Sequence, residues 1–207
     1  MSFELSQIEG EFLVQLARST VKQYLETAKH PQSPTTPPSS KLLEKCGVFV
    51  TISTLKAAKK HLRGCIGYPY PTSPLIEAVI DSALNAATED PRFEPLSANE
   101  LNQVVFELSV LTPPELIQTP NPKDYPQKIK VGQDGLIIEH SWHKGLLLPQ
   151  VPLEWGWSAT EFLCQCCIKA GLPPNSWLIK DTKLYKFHAL IFEEQTPNGI
   201  IKRKPNC

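Results

Sequence analysis

The segment His61-Leu62-Arg63-Gly64-Cys65-Ile66-Gly67 brings an imidazole, a guanidinium and a thiol together within one short stretch. In a β-strand alternate side chains face opposite ways, so Leu62 and Ile66 share one face while His61, Arg63 and Cys65 share the other. Glycine inside a strand marks a bulge or a place where a ligand or another backbone comes close, and two glycines flank this thiol. A nearby guanidinium favours the thiolate, the form of cysteine that acts as nucleophile. Cys65 is therefore the candidate nucleophile or ligand-binding thiol, with Arg63 as the group that would stabilise its anion. The competing reading is packing, since free cysteine is among the most often buried residue types.

Further polar residues could complete a site. Asp90-Pro91-Arg92-Phe93-Glu94-Pro95-Leu96 holds Asp90 out of helical geometry through Pro91, which makes a stiff loop that fixes Asp90 and Arg92. Those two are candidate substrate-binding groups for an anionic or polar ligand; the bland reading is an internal ion pair that clips the loop to the domain. Glu107 lies in the apolar run Val104 to Leu111, on the face of Val105 and Ser109, where a carboxylate could act as acid or base toward a neighbouring strand. It is equally read as part of a solvated face. Glu154, in Pro149 to Trp157, is an outlying substrate-binding candidate.

Metal chemistry has little to stand on. His140 and His143 point to opposite faces of a continuing strand, and Cys164-Gln165-Cys166-Cys167 has no second cysteine pair to complete a zinc site. The expectation is no metal and no cofactor, with the cysteines of that helix packed in the core. The sequence carries no phosphate-cradling glycine loop and no dinucleotide fingerprint.

These residues need elements to position them. Of the twenty prolines in 207 residues, nine fall in two clusters, at 30–41 and 113–126. The first cluster reads as an exposed Pro/Ser-rich loop, the second as a joint between two halves of one domain spanning 1–207. Ahead of the loop, Ile8, Phe12, Leu13, Leu16, Val21 and Leu25 recur at helical spacing after Ser6, an N-cap with Glu9 three residues on. In the first half, Val48 to Ile52 and His61 to Gly67 read as paired strands. A helix follows with Ser73 as cap and Pro74 in its first turn, then the strand from Val104 to Leu111. In the second half, Leu136 to Ser141 and Lys144 to Leu148 read as a hairpin, Ser158 and Glu161 cap a helix from Phe162 to Ala170, and one strand runs from Leu184 to Glu193. Strand, strand, helix, strand thus occurs twice, a weak internal repeat. The class is α+β with a mostly antiparallel sheet. The tryptophans near 142–157 are expected to pack the hairpin onto the following helix, and Lys202-Arg203-Lys204 to be a solvated tail.

Composition sets the wider limits. Hydrophobic residues make up 41% and charged residues 20%, enough to build a core and unlike a disordered chain. Twenty-one basic residues balance twenty-one acidic ones. No global field therefore draws nucleic acid or a membrane to the protein. No apolar run approaches a membrane span, and the acidic opening is unlike a signal peptide, so a cytoplasmic location with free thiols is expected.

The sequence resembles the AMMECR domain family, named from a human chromosomal region linked to Alport syndrome, midface hypoplasia and elliptocytosis. The resemblance rests on LRGCIG at 62–67, DPRFEPL at 90–96, GQDGLIIE at 132–139, GLLLPQVPLEWGW at 145–157 and KAGLPPNSW at 169–177. It implies an α+β fold with two repeats sharing one barrel-like sheet, to which the helix read from the sequence adds at the N-terminus. It assigns no catalytic residues. It also implies a context, since in some prokaryotes such domains occur with Memo-like and radical SAM proteins of a modification pathway. The function expected is an enzyme or enzyme component with a groove centred on the RGC motif, acting on an unknown small molecule or protein. The alternative is a non-catalytic binding or adaptor module for a protein, nucleotide or RNA, the last disfavoured by the zero net charge.

Overall fold

The computed structural model describes residues 3–56 and 59–205, and these divide into two units, one drawn from 3–111 with 190–205 and the other from 112–189. Cys207 lies outside the described residues.

The first unit opens on helix α1 (Gln7–Thr27) with the expected capping box: the Glu9 amide donates to Ser6 Oγ and the Ser6 amide to Glu9 Oε2. Strand β1 (Gly47–Lys56) pairs antiparallel with β2 (Lys59–Tyr68) on one side and with β3 (Val104–Leu111) on the other. Between β2 and β3 runs helix α2 (Leu75–Thr88), whose apolar residues are almost all buried. Its start differs from expectation, for Pro74 rather than Ser73 occupies the N-cap and no side chain caps it. Val48, Val50 and Ile52 of β1 form one core with Val79 and Ala83 of α2 and Leu13 and Val21 of α1.

The chain leaves this unit after β3 and returns in β8 (Ala189–Glu194) and β9 (Ile201–Arg203), giving a five-stranded sheet in the order β2-β1-β3-β8-β9. A buried ion pair ties α1 to β8. Arg18 Nε and Nη2 each lie 2.5 Å from a carboxylate oxygen of Glu194, and the guanidinium also donates to the carbonyls of Leu101 and Val104.

The second unit holds β4 (Glu115–Leu116), β5 (Gly135–His140), β6 (His143–Leu147), helix α3 (Val151–Trp155), helix α4 (Ala159–Lys169) and β7 (Lys183–Phe187). Its sheet order is β4-β7-β5-β6. The Ser158–Glu161 capping box is present, and α4 buries Phe162, Leu163, Cys166 and Cys167 against Leu136, Ile138 and Leu184. Burial raises the Cys166 thiol to about 12 and the Cys167 thiol to about 11.

The α+β class, the antiparallel pairing and the N-terminal helix are as expected; the first unit contains the succession β1-β2-α2-β3, and the second β5-β6-α4-β7 with α3 set between β6 and α4. The finer arrangement differs, because the strands form two open sheets, not one barrel-like sheet. The cause lies at His188, inside the stretch expected to be one strand. Its N–H donates to Thr112 Oγ1, its carbonyl accepts from the Thr112 amide, and its ring reaches buried Asp134 at 2.9 Å. The ladder breaks there, leaving β7 in one sheet and β8 in the other.

Two further expectations are corrected. The Lys202-Arg203-Lys204 tail is largely strand β9, with Arg203 bound to Glu4 and Lys204 to Glu107 and Glu193. Trp142 and Trp155 do not pack the hairpin down; they are 85% and 69% exposed, while Trp157 stacks on Trp155 and touches the second core. Among the described residues, no helix is long and apolar enough to cross a membrane.

Candidate functional site on the edge strand

Strand β2 is an edge strand, and its register explains where the RGC residues go. Ile52 faces Gly64 but Ser53 faces Leu62, so Arg63 is the extra residue of a bulge. A bulge shifts the alternation of faces, so simple alternation no longer sets Arg63 on the side of Cys65. Its Nε and Nη2 bind the Glu100 carboxylate at 2.9 and 3.2 Å, and Nη1 donates to the Glu94 carbonyl at 2.9 Å. That pairing holds the Glu100 carboxyl down to about 2. Arg63 therefore anchors the loop after α2, which corrects its expected role as the cation serving Cys65.

Gly64 answers a different need. A Cβ there would lie 2.0 Å from the Ala86 carbonyl oxygen of α2, so only glycine lets the helix backbone cross this strand so closely. Gly64→Ala is expected to destabilise the protein by about 2–3 kcal/mol, read as a lowered denaturant midpoint.

Cys65 faces Thr51 on β1, and Thr51 faces Glu107 on β3. The three side chains form a row across the sheet on the face away from Val50 and Ile52. Cys65 Sγ is 3.2 Å from Thr51 Oγ1 and is half-buried. Glu107 sits two strands from the thiol, roughly 10 Å at the usual strand spacing. It is bound instead by Lys204 at 2.7 Å and Lys60 at 3.7 Å, in a cluster that Glu193 completes. It cannot take the Cys65 proton directly, as the expected exchange across the sheet would require.

Asp90 and Arg92 do meet Cys65, through its backbone. Asp90, 4% exposed, accepts the Cys65 amide at 2.8 Å and is gripped by Arg92 through Nε at 2.9 Å and Nη2 at 2.7 Å. Arg92 Nη2 also donates to the Cys65 carbonyl at 3.3 Å. One acceptor and one donor thus meet the outward N–H and C=O of an edge residue, as a neighbouring strand would. The Arg92 guanidinium holds the Asp90 carboxyl well below the usual carboxylate range, and Asp90 in turn raises Arg92.

Both Asp90 and Glu100 have folded-state values below their unfolded ones. Their contribution is therefore complete above about pH 4 and is lost as pH falls through the folded values. Asp90→Ala is expected to lower stability by about 2–3 kcal/mol at neutral pH, because the Cys65 N–H loses its acceptor. The difference from wild type should shrink as pH is taken below 4, measured by urea unfolding at each pH.

The remaining candidate, Glu154, belongs to the second unit. It is exposed on α3 and makes no side-chain hydrogen bond among the described residues. His140 and His143 likewise bind only locally, to Thr182 and to the Ala170 carbonyl. Among the described residues no group of three or more His, Cys, Asp or Glu could hold a metal ion.

Sequence reasoning missed Thr51, Glu100 and the lysines of the Glu107 cluster. Only Glu100 had a local signal, the Ser97-x-x-Glu100 spacing in which Glu100 accepts from both the amide and hydroxyl of Ser97. The other partnerships depend on strand register.

Comparison with known proteins places this geometry in a lineage. Residues 14–192 match the AMMECR1 family profile. The chain is 55% identical to protein PH0010 of Pyrococcus horikoshii, over 99% of each chain, and 56% identical to a protein of Thermococcus onnurineus, over 95% of each. The crystal structure of the uncharacterized protein PH0010 superposes with a TM-score of 0.84 at 54% identity, covering 97% of this chain and 98% of that one. With a profile spanning most of its length and relatives this similar end to end, the chain belongs to the AMMECR1 family.

Proposed function

We propose that the protein is an enzyme, or the substrate-holding component of one in a modification pathway, working on the sheet face around Cys65. The observation that carries this reading is the double hold on one residue. The thiol meets the Thr51 hydroxyl at 3.2 Å, while the backbone of the same residue is bracketed by Asp90 and Arg92. A reacting atom must be held to a fraction of an ångström by its surroundings, and contacts to both the side chain and the backbone of Cys65 support that role. The Cys65 sulfur gives up its proton to solvent and bonds an electrophilic carbon, and the leaving group departs with the electrons of the broken bond. Arg92, its side chain about half exposed, orients an anionic part of the substrate while Asp90 holds it in place. Glu107 serves as acid or base toward the substrate rather than the thiol, and Glu154 is an outlying substrate contact.

The five described cysteines are all free thiols, which supports a reducing compartment such as the cytoplasm. The shared strand, strand, helix, strand order supports treating the two units as an internal repeat within a single domain.

A second reading is favoured by one fact: Arg63 and Asp90 direct their polar groups into the protein's own loop and strand. In that reading the face binds a protein or nucleotide partner without turnover. Incubating wild type and Cys65→Ser with a small-molecule cell extract, followed by mass spectrometry, separates the two. The enzyme reading predicts a compound consumed by wild type and untouched by Cys65→Ser. Equal consumption by both overturns the thiol's role, and a compound retained but unchanged by both favours the binding module.

A further inference from the structure

Cys65 and Leu146 hold matching places in their two sheets. In the first, Ile52 faces Gly64 and Thr51 faces Cys65; in the second, Ile138 faces Gly145 and Ile137 faces Leu146. Each glycine lies where a helix crosses, for a Cβ on Gly145 would come within 2.7 Å of the Cys166 carbonyl oxygen of α4. Both strands are sheet edges.

The hairpin between β5 and β6 has two loop residues, Ser141 and Trp142, closed by His140 and His143. The closing pair of such a hairpin exchanges backbone hydrogen bonds, and so does every second pair beyond it. Ile138–Gly145 and Leu136–Leu147 are therefore bonded pairs, and Leu146 between them turns its N–H and C=O off the edge. At Cys65 the same two groups are taken up by Asp90 and Arg92. After α4 the chain instead reads Gly171-Leu172-Pro173-Pro174, with no carboxylate or guanidinium to repeat that bracket. Among the described residues the backbone of Leu146 has no partner outside the sheet.

We propose that β6 pairs edge to edge with β6 of a second copy of this chain, antiparallel and centred on Leu146. Three features of the strand select a second copy. A residue that presents both N–H and C=O outward is self-complementary about a two-fold axis, each copy donating to and accepting from the other. The run Gly145-Leu146-Leu147-Leu148 carries no charge or proline, the devices that normally keep an edge from pairing with itself. Centring on Leu146 sets Lys144 beside Leu148 of the other copy, so the two Lys144 residues stay about 13 Å apart along the strands. That exceeds the ~8–10 Å over which salt leaves exposed charges in contact. Trp142, 85% exposed at the hairpin tip, then lies along the end of the paired strand and adds apolar area.

The test is the mass of the full chain in solution by light scattering across a concentration series, for wild type and Leu146→Pro. Wild type should rise from 23.1 kDa toward twice that value with concentration. Leu146→Pro removes an N–H that the folded subunit does not use, and should weaken association about tenfold. Should that variant misfold, hydrogen exchange on wild type serves instead, with the Leu146 amide slowing in step with dimer formation. A wild-type mass that stays at 23.1 kDa throughout, an association that Leu146→Pro leaves as tight as in wild type, or a dimer whose Leu146 amide still exchanges freely overturns the proposal.

Discussion

Glu194→Gln should lower the stability of the protein by about 3–5 kcal/mol, a large share of the roughly 5–15 kcal/mol typical of a domain. The reason is isolation of a buried charge. Arg18 and Glu194 expose only 10% and 3% of their side chains, and both guanidinium–carboxylate contacts are 2.5 Å. The Glu194 carboxylate also accepts the Phe106 amide at 2.9 Å, so the substitution weakens an anchor of β3 as well. Left without its counter-charge, the Arg18 guanidinium stays buried against the Phe106 ring and two backbone carbonyls. Arg18→Met should cost a similar amount for the mirror reason. The double variant Arg18→Met/Glu194→Leu should recover much of the loss, because two apolar side chains leave no buried charge. Urea unfolding of the four proteins checks this; a single-variant loss under about 1 kcal/mol would show the pair to be worth no more than a surface bridge.

The largest effect on activity is expected at Cys65. Cys65→Ser keeps a hydroxyl in place of the thiol, and Asp90 and Arg92 still hold the backbone of that residue, so unfolding should be unchanged within about 0.5 kcal/mol. Turnover of the compound found in the extract experiment should fall by on the order of 10⁴-fold, since the hydroxyl is a far weaker nucleophile and Glu107, the carboxylate opposite Thr51, is held by Lys204 and Lys60 instead of activating it. Thr51→Val should give a smaller loss, about tenfold, because it removes only the partner that orients the sulfur. Equal activity in wild type and Cys65→Ser would remove the thiol from the chemistry and leave the face a binding surface.

The helices were the most legible part of the fold. Both capping boxes, Ser6 with Glu9 and Ser158 with Glu161, are local spacings that the backbone must satisfy wherever the helix packs. Strand β3 was legible too, because Val104 to Leu111 is an unbroken β-branched and apolar run. The split at His188 was not, since the bonds that break the strand come from Thr112 and Asp134, far away in sequence. Strand β9 was hidden for a similar reason: Lys202-Arg203-Lys204 looks like a solvated tail until Glu4 comes into reach of Arg203, and Glu107 and Glu193 into reach of Lys204 just after the strand.

The candidate site divides the same way. That Asp90 and Arg92 are fixed by a stiff loop follows from Pro91, whereas their grip on Cys65 requires knowing that β2 is a sheet edge. The assignment of Arg63 to the thiol failed because a single bulge residue cancels the two-residue alternation on which it rested. Glu107 does share a face with Cys65, but with β1 between them, an order of strands that periodicity cannot supply.

The most direct test of a reactive Cys65 is the rate of iodoacetamide labelling at each cysteine of the folded protein at neutral pH, resolved by peptide mass spectrometry. Cys46, Cys166 and Cys167 are buried, and burial raises their thiols to about 12, 12 and 11, so they should label only after unfolding. Cys65, half-buried beside Thr51, should label in the native state at least about 100-fold faster than these three, and Thr51→Val should change that rate. A Cys65 that stays unlabelled until the protein unfolds would contradict the account and make the thiol a packing residue.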